Sequence, residues 1–88
     1  MLKTKSREVN VHGLVVNEAL NKILDEIEDA YFDYLPEIRV NHGYNRGVAI
    51  KTAIKESMEI IKSPYVKGIR SDLVNSGVTI IELKFHEE

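Results

Sequence analysis

Two short strand-like segments each end in His-Gly, and each is followed by a stretch with helical periodicity. The first runs from Glu8 to Val11 and closes in His12-Gly13. The second runs from Glu37 to Asn41 and closes in His42-Gly43. No other feature constrains the fold as much. Strand-to-helix units in succession need right-handed crossovers over one face of a sheet, so the two strands run parallel. Their C-terminal ends then share one edge, which is where open α/β sheets bind ligands.

The first helical stretch spans about Val16 to Tyr34. Leu20, Ile23, Leu24, Ile27 and Tyr31 fall at i, i+3, i+4, i+7 and i+11 and form one face. Asp25, Glu26, Glu28, Asp29 and Asp33 lie mostly off that face, and Asn17 is the nearest side chain suited to cap the helix. Leu35-Pro36 ends it, because a residue before proline avoids the α region. The second helix is expected from about Val48 to Lys62, with Ile50, Ala53, Ile54, Met58 and Ile61 as its buried stripe, and Ser63-Pro64 as its stop. Strands follow at Tyr65 to Arg70 and Val78 to Phe85. Asn75-Ser76-Gly77 supplies turn chemistry between them, so they form an antiparallel hairpin. The order is β-α-β-α-β-β. The expected architecture is a two-layer α/β sandwich with two helices on one face of a four-stranded mixed sheet. Residues 1–7 read as a flexible segment and 8–85 as one domain.

The 88 residues suffice for a thin core. With no cysteine, a disulfide scaffold, a Cys-ligated zinc site and a thiol nucleophile are excluded, and the cytoplasm is the default location. No apolar run approaches the roughly 20 residues that span a bilayer, so no membrane partner is expected. The formal net charge is −2, which hides a segregation. Residues 17–37 carry one basic and seven acidic side chains, whereas residues 38–71 carry seven basic and two acidic. A low overall charge is thus compatible with a small phosphate-binding patch.

That patch is expected beside the His-Gly corners. His12 and His42 would converge there, each before a helix N-terminus whose free N–H groups favour a phosphate. Gly13, Gly43 and Gly47 suit tight backbone conformations or close approach of a ligand. Tyr44, Asn45 and Arg46 join the second corner to its helix, with an aromatic to stack a base and a guanidinium to neutralise a phosphate. Lys51 and Lys55, one helical step apart, extend the basic stripe. His86 has no assigned role.

These residues resemble the Smr (small MutS-related) domain family. Val9-Asn10-Val11-His12-Gly13-Leu14 is similar to that family's Leu-Asp-Leu-His-Gly-Leu, and Glu18-Ala19 then opens the first helix. His42-Gly43-x-x-x-Gly47 resembles its His-Gly-x-Gly-x-Gly loop, and Gly77-Val78-Thr79-Ile80-Ile81-Glu82-Leu83 its terminal strand. The resemblance implies a fold like the C-terminal domain of translation initiation factor three. It also implies DNA or RNA as partner and, as in several members, endonuclease activity in DNA repair, recombination or RNA quality control. The motif histidines map onto His12 and His42. Four positions depart from the pattern: Asn10 replaces an acidic residue, Tyr44 a basic one, Asn45 a glycine, and Val15 a helix-capping Thr.

On RNA, one histidine would take the 2′-OH proton and the other would protonate the leaving oxygen. An ordinary imidazole pKa of about 6.5 suits both roles. Arg46 and the N–H groups near Gly47 would stabilise the charge on phosphorus. DNA has no such internal nucleophile, so its cleavage would call for a divalent metal or an activated water. No ligand cluster in the sequence supports a metal site, and no cofactor is expected. Two alternatives stand beside the nuclease: a non-catalytic nucleic-acid-binding module, and a protein-interaction module engaged through the acidic helix or a strand edge. The expected state is a monomer or weak homodimer.

Overall fold

Val9 and Val11 in one segment, and Ile38 and Val40 in another, are spaced two apart, so within each segment they point to one side of the sheet. All four are buried there beneath the helices. The computed structural model describes residues 6–44 and 47–86. In chain order the elements are β1 (Ser6–Asn10), α1 (Val16–Phe32), β2 (Glu37–Asn41), α2 (Val48–Glu56), α3 (Met58–Ile61), β3 (Val66–Ser71) and β4 (Val78–Leu83). The sheet order is β1-β2-β4-β3. β1 and β2 are parallel, with Val9 opposite Val40, and β4 is antiparallel to both β2 and β3. The C-terminal ends of β1 and β2 therefore lie together at one edge of a mixed sheet, as expected, and the C-terminal end of β3 lies there too.

α1 buries Ala19, Ile23, Ile27 and Ala30, spaced four, four and three residues apart, as a single stripe. Burial of each such isoleucine contributes roughly 1.5–3 kcal/mol. Its N-cap is Val15, in extended conformation and without a side-chain cap bond; Asn17, the expected cap, lies inside the first turn. Arg7 of β1 bonds to Asp33 and to Glu26 (3.4 Å) of the α1 region. Ser6 and Arg7, expected to be flexible, thus belong to the sheet, and residues 1–5 lie outside the described residues.

The second helix differs from expectation. It breaks at Ser57, which turns extended, and the Ser57 hydroxyl accepts the Ile60 N–H (3.3 Å) to start α3. The break shifts the helical phase. Ile60 is buried instead of Ile61, and Met58 is exposed.

Among the described residues the other face of the sheet carries no helix, yet Ile80 on it is only 2% exposed. Its cross-strand neighbours are Arg39 and Arg70. Arg39 pairs with Asp72, and Arg70 with Glu82 (2.8 Å) and Glu37 (3.6 Å). The two arginine stems cover Ile80 while their charges are spent on carboxylates.

Candidate nucleic-acid interface

Both corners are built by the same device, an asparagine that folds its side chain over the following turn. Asn10 Oδ1 accepts the His12 N–H (2.9 Å), and Asn41 Oδ1 accepts the Gly43 N–H (3.1 Å). Asn10 and Asn41 are register partners across β1 and β2, so the turns start side by side. Gly13 (φ 89°) and Gly43 (φ 75°) are both left-handed, which other residues rarely adopt. The Gly77 carbonyl pins the second corner by accepting from His42 N–H (2.9 Å) and Gly43 N–H (3.1 Å).

The corners meet. The imidazole of His12 lies against the Cα of Gly43, so that a Cβ at Gly43 would overlap the His12 ring. Gly47 closes the loop from below; a Cβ there would overlap the carbonyl groups of His42 and Gly43. Gly47 is therefore glycine by necessity of space and Gly43 by its left-handed backbone, with the His12 ring against it.

The two histidines do not become equivalent. His12 is exposed, whereas His42 is 1% exposed and lies on the helix side of the sheet. His42 Nδ1 is 2.7 Å from the Gly43 carbonyl and Nε2 is 2.9 Å from the Thr79 hydroxyl. A carbonyl only accepts, so Nδ1–H donates to it, and in the neutral ring Nε2 accepts from the Thr79 O–H. Burial pushes His42 below the ordinary histidine range; the Gly43 bond opposes this, and Lys51 and Lys55 reinforce it. The expectation of two solvent-facing acid–base groups is corrected accordingly: His42 has neither ring nitrogen free. The cause is a one-residue offset. His42 follows Ile38 and Val40 in the inward phase of its strand, whereas His12 falls out of phase with Val9 and Val11.

Of the other expected site residues, Tyr44 is 64% exposed at the corner. Asn45 and Arg46 lie outside the described residues. Lys51 is half-buried and Lys55 exposed, and both are close enough to His42 to act on its charge. Among the described residues neither has a carboxylate within ion-pair distance. Arg39 and Arg70, by contrast, are neutralised on the opposite face and leave the expected basic stretch. Sequence reasoning missed Lys22, whose Nζ bonds to the Asn10 carbonyl (3.0 Å) beside the first corner. It also missed Thr79 and the corner role of Gly77, whose partners appear only once β4 is in register. Among the described residues no three His, Cys, Asp or Glu side chains gather as a metal-ligand set, and no helix is long and apolar enough to cross a membrane.

A family model for the Smr domain matches residues 9–84, which includes both corners and β4. The chain belongs to the Smr domain family. Its Smr fold superposes on the crystal structure of the Smr domain of Thermus thermophilus MutS2 with a TM-score of 0.78 and 30% identity, over 89% of this chain and 98% of that one. It also matches YdaL, a stand-alone small MutS-related protein from Escherichia coli, with a TM-score of 0.79 and 18% identity, over 91% of this chain and 68% of that one, a likeness of fold. Among curated relatives, the endonuclease MutS2 of Lachnoclostridium phytofermentans is 37% identical over 82 residues, and that of Lachnospira eligens 30% over 82 residues. Each alignment covers 90% of this chain and 10% of the relative, so the chain spans about a tenth of the curated relatives it matches.

Proposed function

We propose that this Smr domain binds DNA or RNA through the edge where the two His-Gly corners meet. The observation that carries this reading is the packing of the exposed His12 ring on Gly43, with Lys51 and Lys55 near the same corner. The surface offers an imidazole, the turn backbone, an exposed tyrosine and two lysines without carboxylate partners among the described residues. Phosphates suit such a set, and the small number of cations implies modest, salt-sensitive affinity. The kinship with proteins named endonuclease MutS2 points the same way.

Fluorescence anisotropy with single-stranded and duplex oligonucleotides of both sugars tests it. Lys51→Glu with Lys55→Glu lowers affinity at least about tenfold and reduces the salt slope by roughly 1.5–2, the share of two phosphate contacts. Unchanged affinity and slope in that variant overturn the reading.

The finer reading, phosphodiester cleavage, assigns one acid–base group instead of two. His12 is the exposed imidazole, and His42 acts as a positioning residue that ties the corner to Thr79. A single imidazole suits transphosphorylation of RNA. His12 takes the 2′-OH proton, the 2′-oxygen attacks phosphorus, and the 5′-oxygen leaves and is protonated by water. Under this reading His12→Ala abolishes cleavage of RNA and leaves binding within a few-fold. Cleavage that persists in His12→Ala, measured with and without EDTA, assigns the chemistry elsewhere and leaves the domain as a binding module.

A further inference from the structure

The loop between β3 and β4, residues 72–77, rises from the same sheet edge as the two corners, because β3 and β2 are both antiparallel to β4. At its tip stand Leu73 and Val74, 96% and 94% exposed. Neither packs against the core, so folding does not require them to be apolar.

The loop that presents them is braced at both ends. The Asp72 carboxylate accepts the Val74 N–H (3.0 Å) and pairs with Arg39, and the Asp72 N–H donates to the Val78 carbonyl (3.1 Å). The Val74 bond, then Arg39, hold the Asp72 carboxyl below the usual carboxylate range, so the brace persists at neutral pH. Asn75 Oδ1 accepts the Gly77 N–H (2.9 Å), and the Asn75 carbonyl accepts the Val78 N–H (3.1 Å). Gly77 in turn holds His42 and Gly43, and a Cβ on it would sit 3.2 Å from the Gly43 Cα. Tip and corner are thus tied through one carbonyl. At the base of the loop, Lys55 donates to the Ser71 hydroxyl (3.1 Å).

A slack loop would fold two aliphatic side chains onto the protein surface; this one holds them in water, beside a cation and a corner suited to phosphate. Aliphatic wedges of this kind enter nucleic acid between unstacked bases while neighbouring cations hold the backbone. We propose that Leu73 and Val74 form such a wedge, inserted where base stacking is interrupted, with the backbone on Lys51 and Lys55. The proposal rests on the nucleic-acid reading above and adds a site to it.

The test uses the full chain, a continuous duplex, and the same duplex with a central two-nucleotide bulge flanked by 2-aminopurine. The wild type is expected to favour the bulged duplex about tenfold, which corresponds to roughly 1.4 kcal/mol, and to change the 2-aminopurine fluorescence on binding. Leu73→Ser with Val74→Ser removes the preference and the fluorescence change. It keeps the melting temperature and the salt slope, since the brace and the phosphate contacts are untouched. Equal wild-type affinity for both duplexes, or a preference that survives in the variant, overturns the wedge and leaves the nucleic-acid reading standing. No binding of either duplex or of their single strands overturns both. An unchanged preference together with loss of self-association by light scattering makes the tip a protein contact and also overturns the wedge.

Discussion

At one end of the sheet His12 lies exposed on a glycine and His42 lies buried below the same corner. At the other end His86 is stacked between Tyr31 and Tyr34, 4.0 Å from each ring, and its Nε2 bonds to the Tyr31 carbonyl (2.6 Å). Tyr65 and Phe32 complete that aromatic group, and Lys67 lies 5.1 Å above the Phe85 ring. At the aromatic end the rings engage one another and a lysine, although Phe32, Tyr34 and Phe85 keep outer faces exposed. The His-Gly end is held by backbone and by glycines, and it leaves its polar and apolar side chains facing outward. A charged or aromatic residue marks an interface only when its neighbours in the fold have not already engaged it.

The contrast between an end held by backbone and an end held by side chains can be broken by substitution. The largest effect is expected at Gly47. Gly47→Ala places a Cβ onto the carbonyl groups of His42 and Gly43, which cannot yield as a flexible side chain would. A loss of about 3 kcal/mol in urea unfolding is expected, against about 2 kcal/mol for His86→Ala, which removes the stacking and the bond to the Tyr31 carbonyl. Equal losses would mean that the corner relaxes as freely as the aromatic end.

The buried histidine gives the next effect. Thr79→Val strips the His42 Nε2 of its partner, with an expected loss of about 2 kcal/mol. The depressed His42 pKa also sets a sign with pH. The unfolded chain takes the proton near pH 6.5 and the folded chain resists it. Stability therefore falls as pH drops through about 6.5 and levels off below the folded-state value. Thermal melts at pH 7.5, 6.5 and 5.5 should show this fall, and His42→Gln should flatten it whatever its own stability. A wild-type profile as flat as that of the variant would place His42 in a wetter site. A gain is expected from Val15→Thr, which gives α1 the missing side-chain cap and stabilises it by about 1 kcal/mol.

Much of this was legible in the residues. The four strands, the edge shared by both corners and the bend at Leu35-Pro36 follow from periodicity and turn chemistry. The difference between the histidines was legible too, in the phase of His42 with Val40 and of His12 against Val11, but it needs the alternation to be carried one residue past each strand. Ser57 gave a weaker signal, since a serine inside a helical pattern is as often solvated as it is a cap. The cancellation of Arg39 and Arg70 was hidden, because their carboxylate partners are on or beside neighbouring strands and depend on register. Likewise the stacking of His86 joins residues 55 apart, and nothing local announces it.

The claim that the His-Gly end is the nucleic-acid interface is tested most directly by titrating the isotopically labelled chain with a short oligonucleotide and following backbone amide shifts. The account predicts the largest changes at His12, Gly13, Gly43, Tyr44, Gly47 and Lys51, with Tyr31, Tyr34 and His86 unmoved. Changes centred on the aromatic end, or none at saturating oligonucleotide, would contradict it.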